Sequence, residues 1–374
     1  MGKHKPIWAE IDLHAIKHNI QRIRGILPPG TKLMTVVKAN AYGHGIIPIS
    51  QICQEQGVEA LGVARLDEAL CLRAAGIELP IIILGYLEGE YAPEVISHDI
   101  AVTIIDLETA ATFSRLAREQ AGNVKVHVKI DTGMGRLGFI PNEESLEAIE
   151  RISRMPGIEL EGILTHFAVA DIADKTYTLE QVALFEAFIG ELEARGVHFD
   201  LKHAANSAAA MEVPVSRYNM VRAGITLYGL QPSPDVNQEI LDLIPAMRLK
   251  SRVSMVKFLE PGQSVSYGRT FRADKRTRIA TIPAGYADGY SRLLSNRVWA
   301  SIKGVKVPVI GNICMDQCML DVSALDQVMT GDEVILFGTP QDQITADDLA
   351  KILGTINYEI VCKVSARVPR VYLY

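Results

Sequence analysis

Residues 32–45 read KLMTVVKANAYGHG, a short aliphatic run followed by a polar segment that contains glycine. The run has the length and composition of a strand buried on both faces. In a doubly wound open sheet, the first such strand normally leads into a glycine fingerprint that cradles a phosphate. Residues 39–45 contain no such fingerprint and open no phosphate-cradling helix, so this segment favours a closed barrel over an open sheet.

The same kind of strand recurs along the first 230 residues, and longer amphipathic stretches lie between the runs. Two of these stretches, residues 66–75 and 179–194, are predicted helices, and the first is closed by Gly76. Eight strands alternating with helices predict a (β/α)8 barrel with a parallel sheet. The predicted strands are Lys32–Lys38, Ala60–Val63, Pro80–Leu84, Ile100–Ile105, Val124–Ile130, Leu160–His166, Phe199–Ala204 and Tyr218–Arg222.

The alternation stops at residues 229–234, GLQPSP, which have the composition of a turn. Beyond this point, strands follow one another without crossover helices, apart from a short helix predicted at 346–353. We therefore predict a barrel domain over 1–240 and a mainly β domain over 241–374, with roughly the first ten residues available to pack with the second domain. The predicted strands of the second domain are Met247–Phe258, Thr277–Ile282, Trp299–Ile302, Val305–Ile310, Cys318–Val322 and Glu333–Phe337, ahead of a final segment at 361–374.

Composition narrows the function classes. The 374 residues carry a formal net charge of -6, which gives no electrostatic case for binding nucleic acid or an anionic membrane. No apolar run approaches the ~20 residues that span a bilayer, and the first twenty residues lack the apolar region of a signal peptide. The five cysteines are odd in number and sparse, which is typical of a reducing cytoplasm, and Cys314 and Cys318 have no second pair nearby to complete a metal site. We expect a cytoplasmic protein without a bound metal.

Cationic or polar side chains stand where several predicted barrel strands end. Lys38, Lys129, His166 and Arg222 end the first, fifth, sixth and eighth strands, and Asn206-Ser207 follows the seventh. The carboxyl ends of barrel strands meet at one mouth, so this pattern predicts an anion-binding pocket. A strand-end lysine alone is more often solvated or salt-bridged than catalytic. A lysine desolvated near other cations can nevertheless lose its proton and form an imine with an aldehyde.

The segment around Lys38, VKANAYGHG at residues 37–45, resembles the cofactor-lysine motif of alanine racemases. The resemblance extends over almost the whole chain, and the ordered series of motifs makes coincidence a poor explanation. The further motifs are VKIDTGMGRLG at 128–138, THF at 165–167, NS at 206–207, VRAGITLYG at 221–229, SYGRT at 266–270, GYADGY at 285–290, ICMDQ at 313–317 and NYE at 357–359.

The resemblance implies a pyridoxal 5'-phosphate enzyme in which Lys38 is the Schiff-base lysine. Racemisation removes a proton from one face of the α-carbon and returns it to the other, for which two bases are the economical solution. By resemblance these bases are Lys38 and Tyr267, with His166 and Arg222 forming the network that a tyrosine, ordinarily a poor base, requires. Arg222 would face the pyridine nitrogen and keep it unprotonated, which limits carbanion delocalisation and disfavours transamination.

The resemblance also implies how the cofactor and the substrate are held. Hydroxyl groups and backbone N–H groups would bind the cofactor phosphate, while Arg136 would meet the cofactor's phenolic oxygen and the substrate carboxylate together with the N–H of Met315. Tyr286 and Tyr358 would narrow the entrance to small side chains. The phosphate donors would be Tyr42, Ser207, Tyr358, Gly224 and Ile225, and the remaining cofactor-binding residues Leu84 and Asn206.

Two positions add detail to this pattern. In some relatives the lysine that matches Lys129 is carbamylated, and a free ammonium beside Arg136 would be repulsive, so we predict a carbamate or a bound anion at Lys129. Asn312 is a departure, because many relatives carry arginine there. This departure bears on the electrostatics of the entrance.

The function expected from the resemblance is interconversion of L- and D-alanine through a pyridoxal phosphate aldimine, supplying D-alanine for peptidoglycan. Tyr267 and Met315 would come from the neighbouring subunit of a homodimer. A decarboxylase of basic amino acids is an alternative, but such enzymes usually keep an acidic pyridine partner, unlike Arg222. A serine or broad-specificity racemase stays open, although Tyr358 disfavours it. A non-catalytic cofactor carrier also stays open, although residues 241–374 would then have no purpose.

Overall fold

The computed structural model describes residues 5–374. The described chain divides into two units, one made of residues 17–41 and 46–243 and the other of residues 5–16, 42–45 and 244–374. The predicted domain limits, 1–240 and 241–374, stay a prediction. Roughly the first ten residues were expected to pack with the second domain. Residues 1–4 of this segment lie outside the described part of the chain.

The barrel unit contains eight strands, and every hydrogen-bonded pair of neighbours is parallel. The sheet is nearly closed, because its first and last strands approach each other and the N–H of Arg222 donates to the carbonyl of Ala205 at 3.0 Å. The predicted (β/α)8 barrel is therefore confirmed. In sheet order the strands are Leu201–His203, Ile158–Leu164, Val124–Lys129, Ile100–Ile104, Ile81–Ile83, Ala60–Val63, Lys32–Val36 and Met220–Ala223.

Helices follow the barrel strands as the amphipathic stretches predicted, and polar residues begin several of them. Asp106 and Asn142, for example, accept hydrogen bonds from the N–H groups of Thr109 and Ser145 in the first helical turns. The predicted helix at 66–75 ends at Ala74, and the one predicted at 179–194 begins earlier, at Thr176. The α-helices of this unit are Leu13–Gly25 (shared with the other unit up to residue 16), Ile46–Glu55, Leu66–Ala74, Ala92–Ser97, Leu107–Glu119, Glu143–Ser153, Thr176–Ala194 and Ser207–Glu212.

The second unit is built on a nine-stranded sheet. Ile7–Asp12, which the sequence patterns missed, lies inside this sheet, antiparallel to Met247–Arg252 and parallel to Arg370–Leu373. In order the strands are Met255–Leu259, Thr277–Ile282, Cys318–Asp321, Val305–Ile310, Trp299–Ile302, Glu333–Phe337, Met247–Arg252, Ile7–Asp12 and Arg370–Leu373. A two-stranded ribbon, Ser264–Val265 with Phe271–Arg272, and the helices Ala346–Leu353 and Asn357–Cys362 complete the unit.

One predicted strand of this unit is wrong. The run Met247–Phe258 is two strands, because the chain changes partner after Arg252. Val253 donates its N–H to Asp332, and Ser254 donates to Thr281, which directs the second strand along Thr277–Ile282. The sequence of residues 247–258 gives no sign of such a change of partner, because both halves mix apolar and polar residues in the same way.

No helix within residues 5–374 is long and apolar enough to cross a membrane.

Gly162 makes room for a histidine inside the barrel. It is paired with His127 across the strands Ile158–Leu164 and Val124–Lys129. A Cβ atom at Gly162 would lie 2.2 Å from Nδ1 of His127, well inside van der Waals contact. Because the His127 side chain is fully buried, the ring has little space into which it can move.

We therefore expect Gly162→Ala to lower the free energy of unfolding by ~1–3 kcal/mol, the usual cost of overpacking a core. Urea unfolding at a fixed protein concentration measures the change. Gly190→Ala is the matched control, because Gly190 lies inside the helix Thr176–Ala194 with open space where a Cβ would stand. That variant should be more stable than the parent by roughly 0.5–1 kcal/mol. Equal stability of Gly162→Ala and the parent would contradict the packing described.

Candidate active site

Lys38 stands at the start of a left-handed backbone turn. The strand that precedes it ends at Val36, and the next residues, Ala39 to Ala41, have φ values of 52 to 54° with ψ near 50°. Non-glycine residues in this region cost roughly 1–2 kcal/mol each, so the turn has to be held by its surroundings. The carboxylate of Glu68 accepts the N–H of Ala39 at 2.6 Å, and the side chain of Asn40 accepts the N–H of Ile46 at 2.9 Å. These two hydrogen bonds fix the direction in which the chain leaves Lys38.

Arg222 places a buried guanidinium at the end of the eighth barrel strand, and its side chain is only 4% exposed. Its Nη1 donates to the carbonyl and to Nδ1 of His203 at 2.7 and 3.0 Å. Its Nη2 donates to the carbonyls of Thr165 and Ala204 and lies 3.3 Å from Nδ1 of His166. Burial and then the charge of Arg136 lower the pKa of Arg222 to about 9, which leaves it cationic at neutral pH.

A chain of buried hydrogen bonds continues from Arg222 through His203 and His127 to Glu161, with ring-nitrogen and carboxylate distances of 2.9 and 2.8 Å. Arginine only donates, so Nδ1 of His203 accepts and its Nε2 carries the hydrogen. His127 then accepts at Nδ1 and donates from Nε2 to the carboxylate of Glu161. The two ends therefore fix the tautomers of both neutral histidines. The hydrogen bond from His127 lowers the pKa of Glu161 despite its partial burial.

The sequence patterns did not single out His127, His203 or Glu161. A signal was present in residues 124–130, VKVHVKI, because alternate residues of a strand share a face and His127 therefore shares one with Lys129. A polar residue on the inner face of a barrel strand requires a partner. The sequence could not say which partner, since His203 lies 76 residues away.

Cations gather around Lys129 and His166. The Lys129 side chain is 6% exposed, and its Nζ has no hydrogen-bond partner within residues 5–374. Burial, followed by the charges of Arg222 and Arg136, holds the pKa of Lys129 well below its ordinary value. Burial also lowers the pKa of His166, and the charges of Arg222, Lys129, Arg136 and Lys38 act in the same direction. The structure thus brings five predicted cationic or imidazole residues into one electrostatic environment.

The loop that carries Arg136 is organised by one carboxylate. Asp131 accepts the N–H groups of Gly133 and Gly135 at 3.0 Å each and that of Arg136 at 2.9 Å. Burial would raise the pKa of Asp131, but these N–H donors outweigh it and the pKa is lowered. An ionised Asp131 keeps the loop folded, and Arg136 itself is exposed to solvent in the chain.

Donors for an anion lie at the end of the seventh and eighth strands. Oγ of Ser207 accepts from the N–H of Gly224 at 2.9 Å and from Oγ1 of Thr226 at 3.0 Å, which leaves its own hydrogen to donate. Ile225 opens the short helix Ile225–Tyr228, so its N–H is a first-turn donor without an intrahelical partner. Asn206 caps the helix Ser207–Glu212 by accepting the N–H of Ala209 at 3.0 Å.

Leu84 contributes apolar surface, because it packs partly buried against a cluster of inward-facing barrel residues. The cluster consists of Met34, Ala60, Ile82, Ala101, Leu201 and Met220.

The other predicted site residues belong to the β-rich unit. The rings of Tyr42 and Tyr358 lie with their centroids 6.0 Å apart. Burial, with a smaller contribution from Cys362, raises the pKa of Tyr42, so its phenol stays protonated. Tyr267 and Met315 are 67% and 52% exposed in the chain.

A further loop of this unit fixes Tyr286 against Met315. The N–H of Tyr286 donates to the carbonyl of Cys314, and that of Ala287 donates to the carbonyl of Met315, both at 3.1 Å. A Cβ atom at Gly285 would lie 2.2 Å from the carbonyl oxygen of Met315. Only glycine permits this approach.

Fold and site together define an enzyme class: a (β/α)8 barrel with cationic side chains and hydrogen-bond donors clustered at the carboxyl ends of its strands. Comparison with known proteins makes the class specific. Residues 11–232 match the family model "Alanine racemase, N-terminal domain", and residues 246–372 match "Alanine racemase, C-terminal domain". The chain belongs to the alanine racemase family, and it is an amino-acid racemase.

Individual relatives and solved structures agree over the full length. The chain is 50% identical to an alanine racemase of Methanococcus maripaludis over 370 residues, which cover 99% of both chains. It superimposes on an alanine racemase of Clostridium difficile with a TM-score of 0.96 at 43% identity, covering 100% of this chain and 97% of the other. An alanine racemase from Bacillus anthracis with bound L-Ala-P gives a TM-score of 0.94 at 36% identity, covering 100% and 96%.

The lowered pKa values predict how stability depends on pH. Burial, then the charge of Arg222, holds the pKa of His203 well below its ordinary value, as for His166. Between these folded values and the unfolded value of ~6.5, the unfolded chain binds more protons. The free energy of unfolding should therefore fall as the pH drops below ~6.5, by up to ~1.4 kcal/mol per pH unit for each histidine.

Calorimetric unfolding at pH 5.5 in buffers of different ionisation enthalpy measures the protons taken up. His203→Gln should take up about one proton fewer than the parent, because an unfolded histidine is largely protonated at that pH. The difference should vanish at pH 8, which serves as the control. Equal uptake at pH 5.5 would show that His203 is protonated in the folded chain.

Proposed function

We propose that this chain interconverts L- and D-alanine with pyridoxal 5'-phosphate as cofactor, attached at Lys38, and with Lys38 and Tyr267 as the two bases. The observation that carries the proposal is the environment of Arg222, a buried arginine whose terminal nitrogens are committed to protein groups. Its neighbour Lys129 has no hydrogen-bond partner for Nζ in the part of the chain that the structure describes. Such an arrangement suits a planar, anionic, nitrogen-containing ligand.

The residues present fit this cofactor. Both terminal nitrogens of Arg222 are occupied, and no hydrogen bond from its Nε occurs within residues 5–374, which leaves an N–H for the pyridine nitrogen. The hydroxyl hydrogen of Ser207 and the N–H of Ile225 would bind the phosphate, with Tyr42 and Tyr358 as further phosphate donors. The N–H of Gly224, predicted as another donor, is instead given to Oγ of Ser207, which it helps to orient. When bound, the cofactor supplies an electron-withdrawing ring that eases removal of the α-proton.

Each protein group then has a distinct task. Nζ of Lys38 would move the proton on one face of the α-carbon, and the phenolic oxygen of Tyr267 would move it on the other. Arg136 and the N–H of Met315 would hold the substrate carboxylate, for which a planar guanidinium is well suited. A neutral His166, 3.3 Å from Nη2 of Arg222, can take or return a proton and would link the base Tyr267 to Arg222. Because Arg222 stays cationic, it would not give its proton to the ring nitrogen.

The experiment measures α-proton exchange and loss of optical activity with each alanine enantiomer in deuterated water. We expect exchange together with racemisation, and borohydride should fix the yellow cofactor to the peptide that contains Lys38. With the cofactor bound, α-proton exchange without racemisation, or no α-proton exchange at all, would contradict the proposed reaction. Fixation at another lysine would contradict the role of Lys38. Serine tested in parallel measures how strictly Tyr286 and Tyr358 restrict the substrate to small side chains.

We propose that the active sites are shared between the two subunits of a homodimer, so that Tyr267 and Met315 act in the partner's site. Their exposure in the single chain supports this proposal. We place the enzyme in the cytoplasm, in keeping with a sparse set of five cysteines, an odd number that does not suit a disulfide framework. Its D-alanine product would serve peptidoglycan synthesis.

Mixing inactive variants tests the sharing of sites. Lys38→Ala and Tyr267→Phe homodimers should each be nearly inactive. After exchange of subunits at a 1:1 ratio, about a quarter of the parent activity should return, because half of the dimers are mixed and each has one intact site. A mixture of Lys38→Ala with Lys38→Ala,Tyr267→Phe chains is the control and should stay inactive. Absence of rescue in demonstrably mixed dimers would contradict shared sites.

We also propose that Lys129 carries a carbamate. Its neutral amine, favoured by burial and by two arginines, would attack carbon dioxide, forming an N–C bond and releasing one proton. The product anion would be attracted by the charges of Arg136 and Arg222, which would repel a protonated Lys129.

Carbon-13 bicarbonate tests the modification at Lys129. The protein should show a carbamate resonance that is absent from Lys129→Ala and retained in Lys38→Ala, the control for the other site lysine. The Lys129→Ala variant should bind alanine more weakly, and chloride or acetate should restore part of the loss by replacing the anion. A carbamate signal that persists in Lys129→Ala would place the modification elsewhere.

A further inference from the structure

The backbone around Tyr267 is strained on both sides. Ser266 has φ 64° and ψ -178°, a combination that is essentially restricted to glycine, and Arg269 has φ 49°. Gly268, with φ 73°, accommodates the same turn without a side chain. Residues in such conformations are energetically unfavourable and persist only where neighbouring groups hold them.

The group that holds this turn is Asn312. Its side-chain Nδ2 donates to the carbonyl of Tyr267 at 2.6 Å, and its own carbonyl accepts Oγ–H of Ser266 at 2.5 Å. The orientation of the amide is fixed, because a carbonyl oxygen can only accept and therefore requires the NH2 end. Asn312 thus forms hydrogen bonds with the backbone of Tyr267 and with the side chain of Ser266.

The segment that carries Asn312 is itself anchored. The N–H of Gly311 donates to the side chain of Asn296 at 2.6 Å, and the N–H of Ile313 donates to Oγ of Ser295 at 2.9 Å. Nη1 of Arg292 donates to the carbonyl of Ile313 at 3.0 Å. Asn312 is therefore a firm support, whereas the turn that it holds has only short strands on either side.

We propose that Asn312 is a positioning residue for Tyr267, setting where the phenolic oxygen stands when it moves the α-proton. The proposal rests on the role of Tyr267 proposed above. Without the amide donor, the strained turn can relax, and a displacement of ~1 Å in a reacting group can cost ~10²-fold in rate. In this chain, Asn312 would therefore have a structural role at a position where many relatives carry arginine.

Asn312→Asp tests the proposal, because the side chain keeps its shape while an acceptor oxygen replaces the donor. We expect kcat to fall by roughly 10- to 100-fold in both directions, with KM changed by less than about 2-fold, since the substrate carboxylate contacts are untouched. Ser254→Ala is the control. It removes another exposed hydrogen bond from a side chain to a carbonyl in the same unit, the one to Thr281, and should behave as the parent does.

Isotope effects separate positioning of Tyr267 from a general structural defect. With α-deuterated alanine, Asn312→Asp should show a larger isotope effect on kcat in the direction in which Tyr267 removes the proton. In the opposite direction, Lys38 removes the deuteron, and the effect should be unchanged or smaller. Hydrogen exchange of the peptide covering residues 264–270 should also be faster in Asn312→Asp than in Ser254→Ala.

Parent-like kcat in Asn312→Asp, or an isotope effect that changes equally in both directions, would overturn the proposal. If Asn312→Asp lacks a cooperative thermal transition, Asn312→Ala is measured against the same expectations. A failure of the underlying function is seen separately, because full activity in Tyr267→Phe would refute the role of Tyr267 itself, whatever Asn312 does.

Discussion

The buried guanidinium of Arg222 has to keep its charge inside the barrel, and the neighbouring groups are arranged around that requirement. Carbonyl oxygens and an imidazole nitrogen satisfy its terminal N–H groups. The directed chain through His203 and His127 ends on the carboxylate of Glu161, which supplies negative charge at the far end. Gly162 is needed because the His127 ring occupies the space of its side chain.

The same charge shapes the chemistry of its neighbours. Burial, and after it the charges of neighbouring cations, lowers the pKa of Lys129 and His166. Neutral amines and imidazoles are the forms that accept protons or attack carbon dioxide. One constraint would thus account for the proposed neutral base, the proposed cationic partner of the cofactor ring and the proposed binding of anions.

Strained backbone supports both proposed bases. Lys38 leads into a left-handed turn held by Glu68 and Asn40, and Tyr267 lies in a turn held by Asn312. In each case a polar side chain from a separate segment fixes the backbone. A base held in this way loses little freedom when substrate arrives, which favours precise proton transfer.

The sequence alone determined the barrel, the place of most strands and the motifs that identify the family, because these depend on local periodicity and on residues adjacent along the chain. It predicted Lys38, Lys129, His166 and Arg222 for one mouth, since parallel strands bring their ends together. It did not reveal the insertion of Ile7–Asp12 into the second sheet or the break after Arg252. Only the tertiary structure showed which residues bind His127 and that its ring occupies the place of a side chain at Gly162. It alone also showed the hydrogen bond from Asn312 to the carbonyl of Tyr267. Those contacts join residues 34 to 76 positions apart, and no local pattern specifies which distant group will satisfy a buried donor or acceptor.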